Sequence, residues 1–316
     1  MSRMTVKAQF PDEQSAEGNF VRQDDVFRAW VKADGSSAYP AEAGRYHLYV
    51  SLACPWAHRT VIVRELRGLQ RTIGMTVVDP VRDERGWAFR DGDGFSKDPI
   101  NGFSFLSQAY RASDPVYRGR VTVPVLWDTR TSRIVSNSDD DIMRMLETQF
   151  DDFASNRIDL YPAGHRAEID DLNETLYTTF NNGVYLAGFA TAQGAYERAA
   201  YRVFETLDML DARLASSRYL FGSQPVETDW RAFVTLIRFD PVYYGHFKCN
   251  LRRIVDYPNL YGYLRDLYQV PGVAETVHFD QIKRHYYFTH DDINPTRIVP
   301  VGPLQNLHAP HGREKL

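Results

Sequence analysis

The sequence predicts an α/β domain followed by an all-α domain, and three observations support this. Apolar residues alternate over Tyr46-His47-Leu48-Tyr49-Val50, then switch to helical spacing at Val61, Ile62, Val63, Leu66 and Leu69. A strand-like run returns over 74–80, completing a strand–helix–strand unit. A second block, from Arg120 to Leu146, reads as a hairpin followed by a helix. From His165 onward the periodicity is helical only.

The elements are justified in chain order. Residues 1–44 are rich in Gly, Ser and Asp and read as an extended arm, anchored by Phe27 and Trp30. A first domain spans 45–150, with a strand at 46–50, a helix at 55–69 and a strand at 74–80. A helical crossover between strands makes them parallel. An insert at 82–118, rich in Gly, Asp and aromatic residues, interrupts the pattern, and a loop this long inside a compact domain is usually functional. Val123-Pro124 opens a strand through Asp128, a turn runs from Thr129 to Ser132, and Ile134-Val135 returns. Asp139-Asp140-Asp141 precedes Ile142, Met143, Met145 and Leu146, and acids at a helix start suit the dipole. This βαβ-ββα order resembles the thioredoxin-like arrangement, which implies that Pro124, before the third strand, is cis and faces the active cysteine; the alternative is a trans proline on an edge strand. Asp151 to Gly164 reads as a linker. An all-helical domain at 164–288 follows, with helices over 165–180, 195–214, 229–239 and 260–268. A tail at 289–316 is broken by Pro and Gly.

Composition narrows the function classes. The 316 residues suggest about two domains. A net charge of −4 offers no overall attraction to nucleic acid or to an anionic membrane. There is no apolar run near the ~20 residues that a bilayer span needs, and Met1 to Gln14 lacks the apolar core of a signal peptide. Two cysteines, Cys54 and Cys249, are too few for a disulfide framework, which points to a reducing cytoplasm. The nine histidines lack metal-ligand spacing, so no metal site is expected. With neither GxGxxG nor a P-loop, no nucleotide is expected.

The chemistry centres on Cys54-Pro55-Trp56-Ala57-His58-Arg59. Strand, tight loop and helix place Cys54 at a helix N-terminus, where unpaired N–H groups and the helix dipole favour a thiolate. Pro55 suits the first helical position. The alternative is a cysteine that merely packs. The motif resembles a thioredoxin-type Cys-x-x-Cys site with Ala57 in place of the second cysteine. A mixed disulfide on Cys54 would then need an outside thiol to resolve it. Cys249, in a Lys-Cys-Asn context, reads as structural.

A thioredoxin-like domain followed by a helical one is the layout of the glutathione transferases. Three stretches sharpen the resemblance: Cys54–Arg59, Arg120–Asp128, and the C-terminal set Arg238–Tyr243, His246–Cys249, Asn259–Tyr261 and His285–Tyr287. Together with Asn294-Pro295-Thr296 and Pro310–Arg313, these resemble the glutathionyl-hydroquinone reductases, the Xi class of glutathione transferases. The resemblance implies glutathione as co-substrate and Cys54 as nucleophile. Cys54 would take glutathione from a glutathionyl-hydroquinone as a mixed disulfide, and a second glutathione would release it. It also implies a homodimer.

Glutathione binding by resemblance falls to Trp87, to Arg120 for a carboxylate, and to the main chain of Val123 before Pro124, as an added strand. The γ-glutamyl end would meet Ser138 and Asp139, where the family has a Glu-Ser pair. Simple helix capping accounts for these acids equally well. Tyr185, Tyr243 and Tyr286 align with the family's tyrosines around the aromatic substrate, where a phenol can bind a hydroxyl or deliver a proton to the leaving carbon. Val226 departs from the Ser or Thr that transferases place as an N-cap, a loss of about 0.5–2 kcal/mol unless Thr228 starts the helix further in. Two other functions compete. One is an omega-like thiol transferase or dehydroascorbate reductase using the same Cys54. The other is a non-catalytic transferase-like interaction module, which has no need to retain Cys54, Arg120 and Trp87 together.

Overall fold

The computed structural model describes residues 11–316. The chain divides into two bodies. A sheet body comprises Asp24–Asp159 and Pro271–His285, and a helical body comprises the described residues up to Gln23, Leu160–Val270 and Tyr286–Leu316.

The sheet body holds β1 (Val31–Lys32), β2 (Tyr39–Pro40), β3 (Tyr46–Val50), α1 (Pro55–Leu66), β4 (Gly74–Val77), α2 (Ser107–Ser113), β5 (Val125–Asp128), β6 (Arg133–Ser136) and α3 (Asp139–Thr148). Its main sheet runs β4-β3-β5-β6. β3 pairs parallel with β4, Val50 opposite Val77, and antiparallel with β5, Tyr49 opposite Val125. β3 lies between two strands and is buried at every position, His47 included. α1 and α3 pack against each other. Ile62, Val63, Ile142 and Met145 join Leu48, Val125 and Trp127 among the fully buried side chains.

Two parts of this body are more ordered than the sequence pattern suggests. The insert at 82–118 contains α2, whose buried Ala109 and Tyr110 lie on the side that packs on β6. Asp98 organises the same insert by accepting from the Tyr49 hydroxyl and from the N–H groups of Ile100, Asn101 and Phe103. The arm is held as an edge partner of β6: Ala29 N–H donates to Val135, and Phe27 exchanges two bonds with Asn137. The ring of Phe27 meets Tyr110 and Tyr117, each at 5.7 Å.

The helical body holds α4 (Arg166–Leu176), α5 (Gly183–Gly188), α6 (Gln193–Arg213), α7 (Glu227–Arg238) and α8 (Leu260–Tyr268). α9 (Phe279–Thr289) runs from the sheet body into this one at His285–Tyr286. α7 is buried along its whole length and packs on α4 and α8. α4 does not run through to residue 180; it loosens into a π-turn at Tyr177–Asn181. A second π-turn, Phe239–Tyr243, continues α7. Pro241 lies inside it and has no N–H for a regular helix ladder, so the wider turn accommodates it. α7 starts at Glu227 with Val226 as its cap residue; valine offers no side-chain acceptor to the first-turn N–H groups, and Asp229 reaches back from the third helical position. Its carboxylate accepts from the Val226 and Leu220 N–H groups and from the Tyr263 hydroxyl. Thr228 does not take over as cap, and its buried hydroxyl oxygen has no bonded partner. Among the described residues no helix is long and apolar enough to cross a membrane.

In β3, His47 is buried and bonds Thr76 Oγ1 through Nε2 at 2.7 Å. Its ring lies against Gly74, so closely that a Cβ there would overlap Nδ1. Burial pushes the His47 imidazole down to about 4. The unfolded chain binds this proton near pH 6.5 and the folded chain only near 4, so folding loses stability as pH falls through that window. The loss is on the order of 3 kcal/mol. Urea unfolding between pH 6.5 and 4 is expected to show a shallower pH slope for His47→Gln than for wild type. An unchanged slope would assign the acid sensitivity to other groups.

Candidate active site

Cys54 ends the loop after β3. It has extended backbone, φ −79° and ψ 122°, and occupies the N-cap of α1 with Pro55 as the first helical residue. Its N–H donates to Ser51, and its carbonyl receives the His58 N–H. The half-buried sulfur lies 3.6 Å from the Val123 carbonyl oxygen. The Val123–Pro124 peptide is cis. The strand register accounts for this approach. β3 and β5 are antiparallel neighbours, so the residues just beyond Val50 and just before Val125 meet at one end of the sheet.

The helix start beside the sulfur is electrostatically ordered. Arg59, 1% exposed, pairs with Asp139 at 2.8 Å and lies over the Trp56 ring at 4.7 Å. Ser138 is the N-cap of α3 and accepts from the Asp141 N–H at 3.3 Å. Ser138 and Asp139 therefore have structural partners: the hydroxyl caps, and the carboxylate holds Arg59. Asp141 takes a two-pronged pair from Arg28, both bonds 2.7 Å.

Arg120 is half-buried in the segment that leads to the cis peptide, and its carbonyl receives the Tyr117 hydroxyl at 2.7 Å. Trp87, 5% exposed, follows the tight turn Asp83–Gly86. Its ring stacks on His285, centroids 5.0 Å apart and planes at 20°. The sheet body thus brings Cys54, Val123 and Pro124 into one contact group. It sets Ser138 and Asp139 at the start of α3, next to α1.

The helical body gathers the three tyrosines. The Tyr286 hydroxyl lies 2.5 Å from that of Tyr185 and 3.0 Å from that of Tyr243. All three are buried. Burial raises Tyr243 and Tyr286 well above the usual phenol range, so both are protonated at neutral pH. Tyr243 closes the π-turn after α7, and Tyr185 lies just after the π-turn that ends α4. The guanidinium of Arg22 rests 5.1 Å from the Tyr185 ring and bonds Asn182. Arg22 and His285 carry no sequence signal of their role, since their partners are far away along the chain. Cys249 is fully buried, and burial pushes its thiol up to about 12.

Residues 53–149 match the N-terminal domain family of glutathione S-transferases, and residues 193–266 match the C-terminal domain family. The chain is 51% identical over 310 residues to glutathionyl-hydroquinone reductase YqjG of Escherichia coli, covering 96% of this chain and 94% of that one. It is 48% identical to glutathionyl-hydroquinone reductase PcpF of Sphingobium chlorophenolicum, covering 94% and 93%. The chain belongs to the glutathionyl-hydroquinone reductase family. Among solved structures, glutathione-bound YqjG superposes with a TM-score of 0.90 at 52% identity, over 92% of this chain and 96% of that one. The Xi glutathione S-transferase of Phanerochaete chrysosporium gives 0.88 at 48%, over 90% and 98%. As an Xi-class reductase, the chain has the thioredoxin-like and helical layers of its class.

The two cysteines of this reductase should differ in reactivity. Iodoacetamide at neutral pH is expected to modify Cys54 in the native protein and to leave Cys249 intact, with Cys249 reacting only after denaturation. Peptide mass spectrometry checks this. Equal labelling of both in the native state would contradict the burial of Cys249 and the activation of Cys54.

Proposed function

We propose that this chain is a glutathione-dependent reductase that removes glutathione from glutathionyl-hydroquinones. The observation behind this is a lone reactive cysteine: Cys54 caps α1 against the Val123 carbonyl, and Ala57 stands where a resolving cysteine would be. The Cys54 thiolate attacks the thioether sulfur, forming the Cys54–glutathione disulfide. The bond between sulfur and ring carbon breaks, and the electron pair stays on the ring. A proton on that carbon completes the hydroquinone. A second glutathione thiolate attacks the mixed disulfide, which yields oxidised glutathione and restores Cys54. The first glutathionyl group leaves oxidised, the ring leaves reduced, and the enzyme is unchanged.

Trp87, Arg120, the main chain at Val123 and Pro124, and the Ser138–Asp139 helix start form the proposed glutathione site. An added strand along Val123 fits the sheet edge chemistry, and a helix N-terminus fits a carboxylate. Tyr185, Tyr243 and Tyr286 form the proposed site for the aromatic ring, with the hydroxyl cluster as proton source. An omega-like thiol transferase would use the same Cys54 but protonates only sulfur or oxygen, so the tyrosine cluster favours the first reading. The reading also includes a homodimer in the cytoplasm, without a metal or a nucleotide.

Turnover of a glutathionyl-hydroquinone with excess glutathione tests the scheme. Cys54→Ser is expected to abolish it. Wild type starved of glutathione should hold a glutathione-sized adduct on Cys54 by mass spectrometry. Full activity in the serine variant would sink the mechanism. Tyr286→Phe is expected to lower kcat on the conjugate about a hundredfold, the scale of a lost general acid, while reduction of a simple disulfide by glutathione persists. Equal loss on both substrates would give Tyr286 a structural role only.

A further inference from the structure

We infer that Pro271–His285 is a strap that orders the glutathione side of the sheet body, with His285 as the positioning residue for Trp87. The inference rests on the reading of Trp87 as a glutathione contact. Its starting point is where the chain goes. Both flanking stretches, Leu160–Val270 and Tyr286–Leu316, belong to the helical body, yet these residues pack with the sheet body.

The strap is tied at three points. The first is α1: His58, four residues after Cys54 and fully buried, bonds Thr276 Oγ1 through Nε2 at 2.7 Å. The Thr276 hydroxyl gives its one proton to the Val273 carbonyl at 2.6 Å, so His58 Nε2 is the donor. The second is the insert: Gln281 donates to the Asp93 carbonyl at 3.0 Å. The third is His285. Its Nδ1 lies 2.7 Å from the Pro80 carbonyl, which only accepts, so Nδ1 carries the proton. That bond fixes the plane of the imidazole, and the imidazole lies against the indole of Trp87.

Trp87 needs such support. Its stretch of chain follows a tight turn closed by Gly86 at φ 93°, and its main chain is held by the bridge between Ala88 and Phe105 and by the Asp79 N–H on the Ala88 carbonyl, neither of which orients the indole. An indole on irregular backbone has rotamers to choose from, and a ring held from a second segment removes that choice. Arg82 lies over the same indole at 5.6 Å, but it comes from the same loop and cannot fix the loop against the sheet. His285 is bonded to the residue run that follows β4, and so refers Trp87 back to the sheet.

The test uses the full-length enzyme, with glutathione varied at saturating glutathionyl-hydroquinone and thermal unfolding recorded for every variant. The variants are Trp87→Ala, His285→Ala, the double variant and His285→Phe. His285→Ala is expected to raise the KM for glutathione about tenfold, within the range for a misplaced binding group, with kcat close to wild type. The double variant should match Trp87→Ala alone, because His285 acts through that ring. His285→Phe, which keeps a ring but loses the Pro80 bond, should recover part of the effect. An unchanged KM in His285→Ala beside an impaired Trp87→Ala overturns the strap. So do independent, multiplying effects in the double variant. An unchanged Trp87→Ala overturns the assigned role of Trp87 and with it the route of action. Failure of the proposed activity is read separately, from wild type alone. In that event the same variants are compared by calorimetric Kd for glutathione, with the same expected ratios and the same overturning results.

Discussion

The contact between the Cys54 sulfur and the Val123 carbonyl depends on one pairing, β3 against β5. Antiparallel register places the exit of one strand beside the entry of the other. The exit holds the start of α1 with Cys54 as its cap residue, and the entry holds the cis Val123–Pro124 peptide. A thiolate at a helix start is stabilised by N–H groups that would otherwise lack partners. A peptide laid along Val123, as proposed, would lie at the same end of the sheet as Cys54. Most other features of this body support that arrangement. α1 is buried almost throughout, and Arg59 and Asp139 tie it to α3.

The helical body follows a different principle. α7 is its centre, buried from end to end, and the Asp229 carboxylate at its start accepts from two backbone N–H groups and the Tyr263 hydroxyl. Several buried polar groups there are bonded to one another, as Asn173 is to Glu227 and Asn181 to Thr235. Tyr185, Tyr243 and Tyr286 show the same logic, their hydroxyls bonded to one another. Two π-turns interrupt the helices next to this cluster. Such turns rotate the following residues out of the regular helical stripe, and they recur at functional sites. Tyr243 sits at the end of one of them.

The order of strands and helices was legible because alternation and helical spacing are local. Cys54 at a helix start was legible for the same reason, from a strand, a proline and an apolar stripe within about twenty residues. Less of the insert at 82–118 could be read. Its organising acid, Asp98, bonds backbone groups up to five residues away and a tyrosine on β3, and neither leaves a periodic signal. α2 is too short for its spacing to stand out. The interruption of α4 at Tyr177 was invisible, since no Pro or Gly within Tyr177–Asn181 marks it. The second π-turn had a clue in Pro241, which forbids a regular ladder without saying what replaces it.

The sequence by itself determined the local arrangement: a cysteine at a helix start, no second cysteine beside it, and most of the strands and helices. Those properties follow from side-chain type and from neighbours within a few residues. Tertiary structure decided everything that depends on partners far apart in the chain. It returned Pro271–His285 to the sheet body and set His285 against Trp87 across 198 positions. It brought Tyr185, Tyr243 and Tyr286 to within hydrogen-bond reach of one another. It also paired Asp139 with Arg59. The physical reason is that packing and hydrogen-bond satisfaction are properties of the closed chain, whereas periodicity and capping are properties of a short segment.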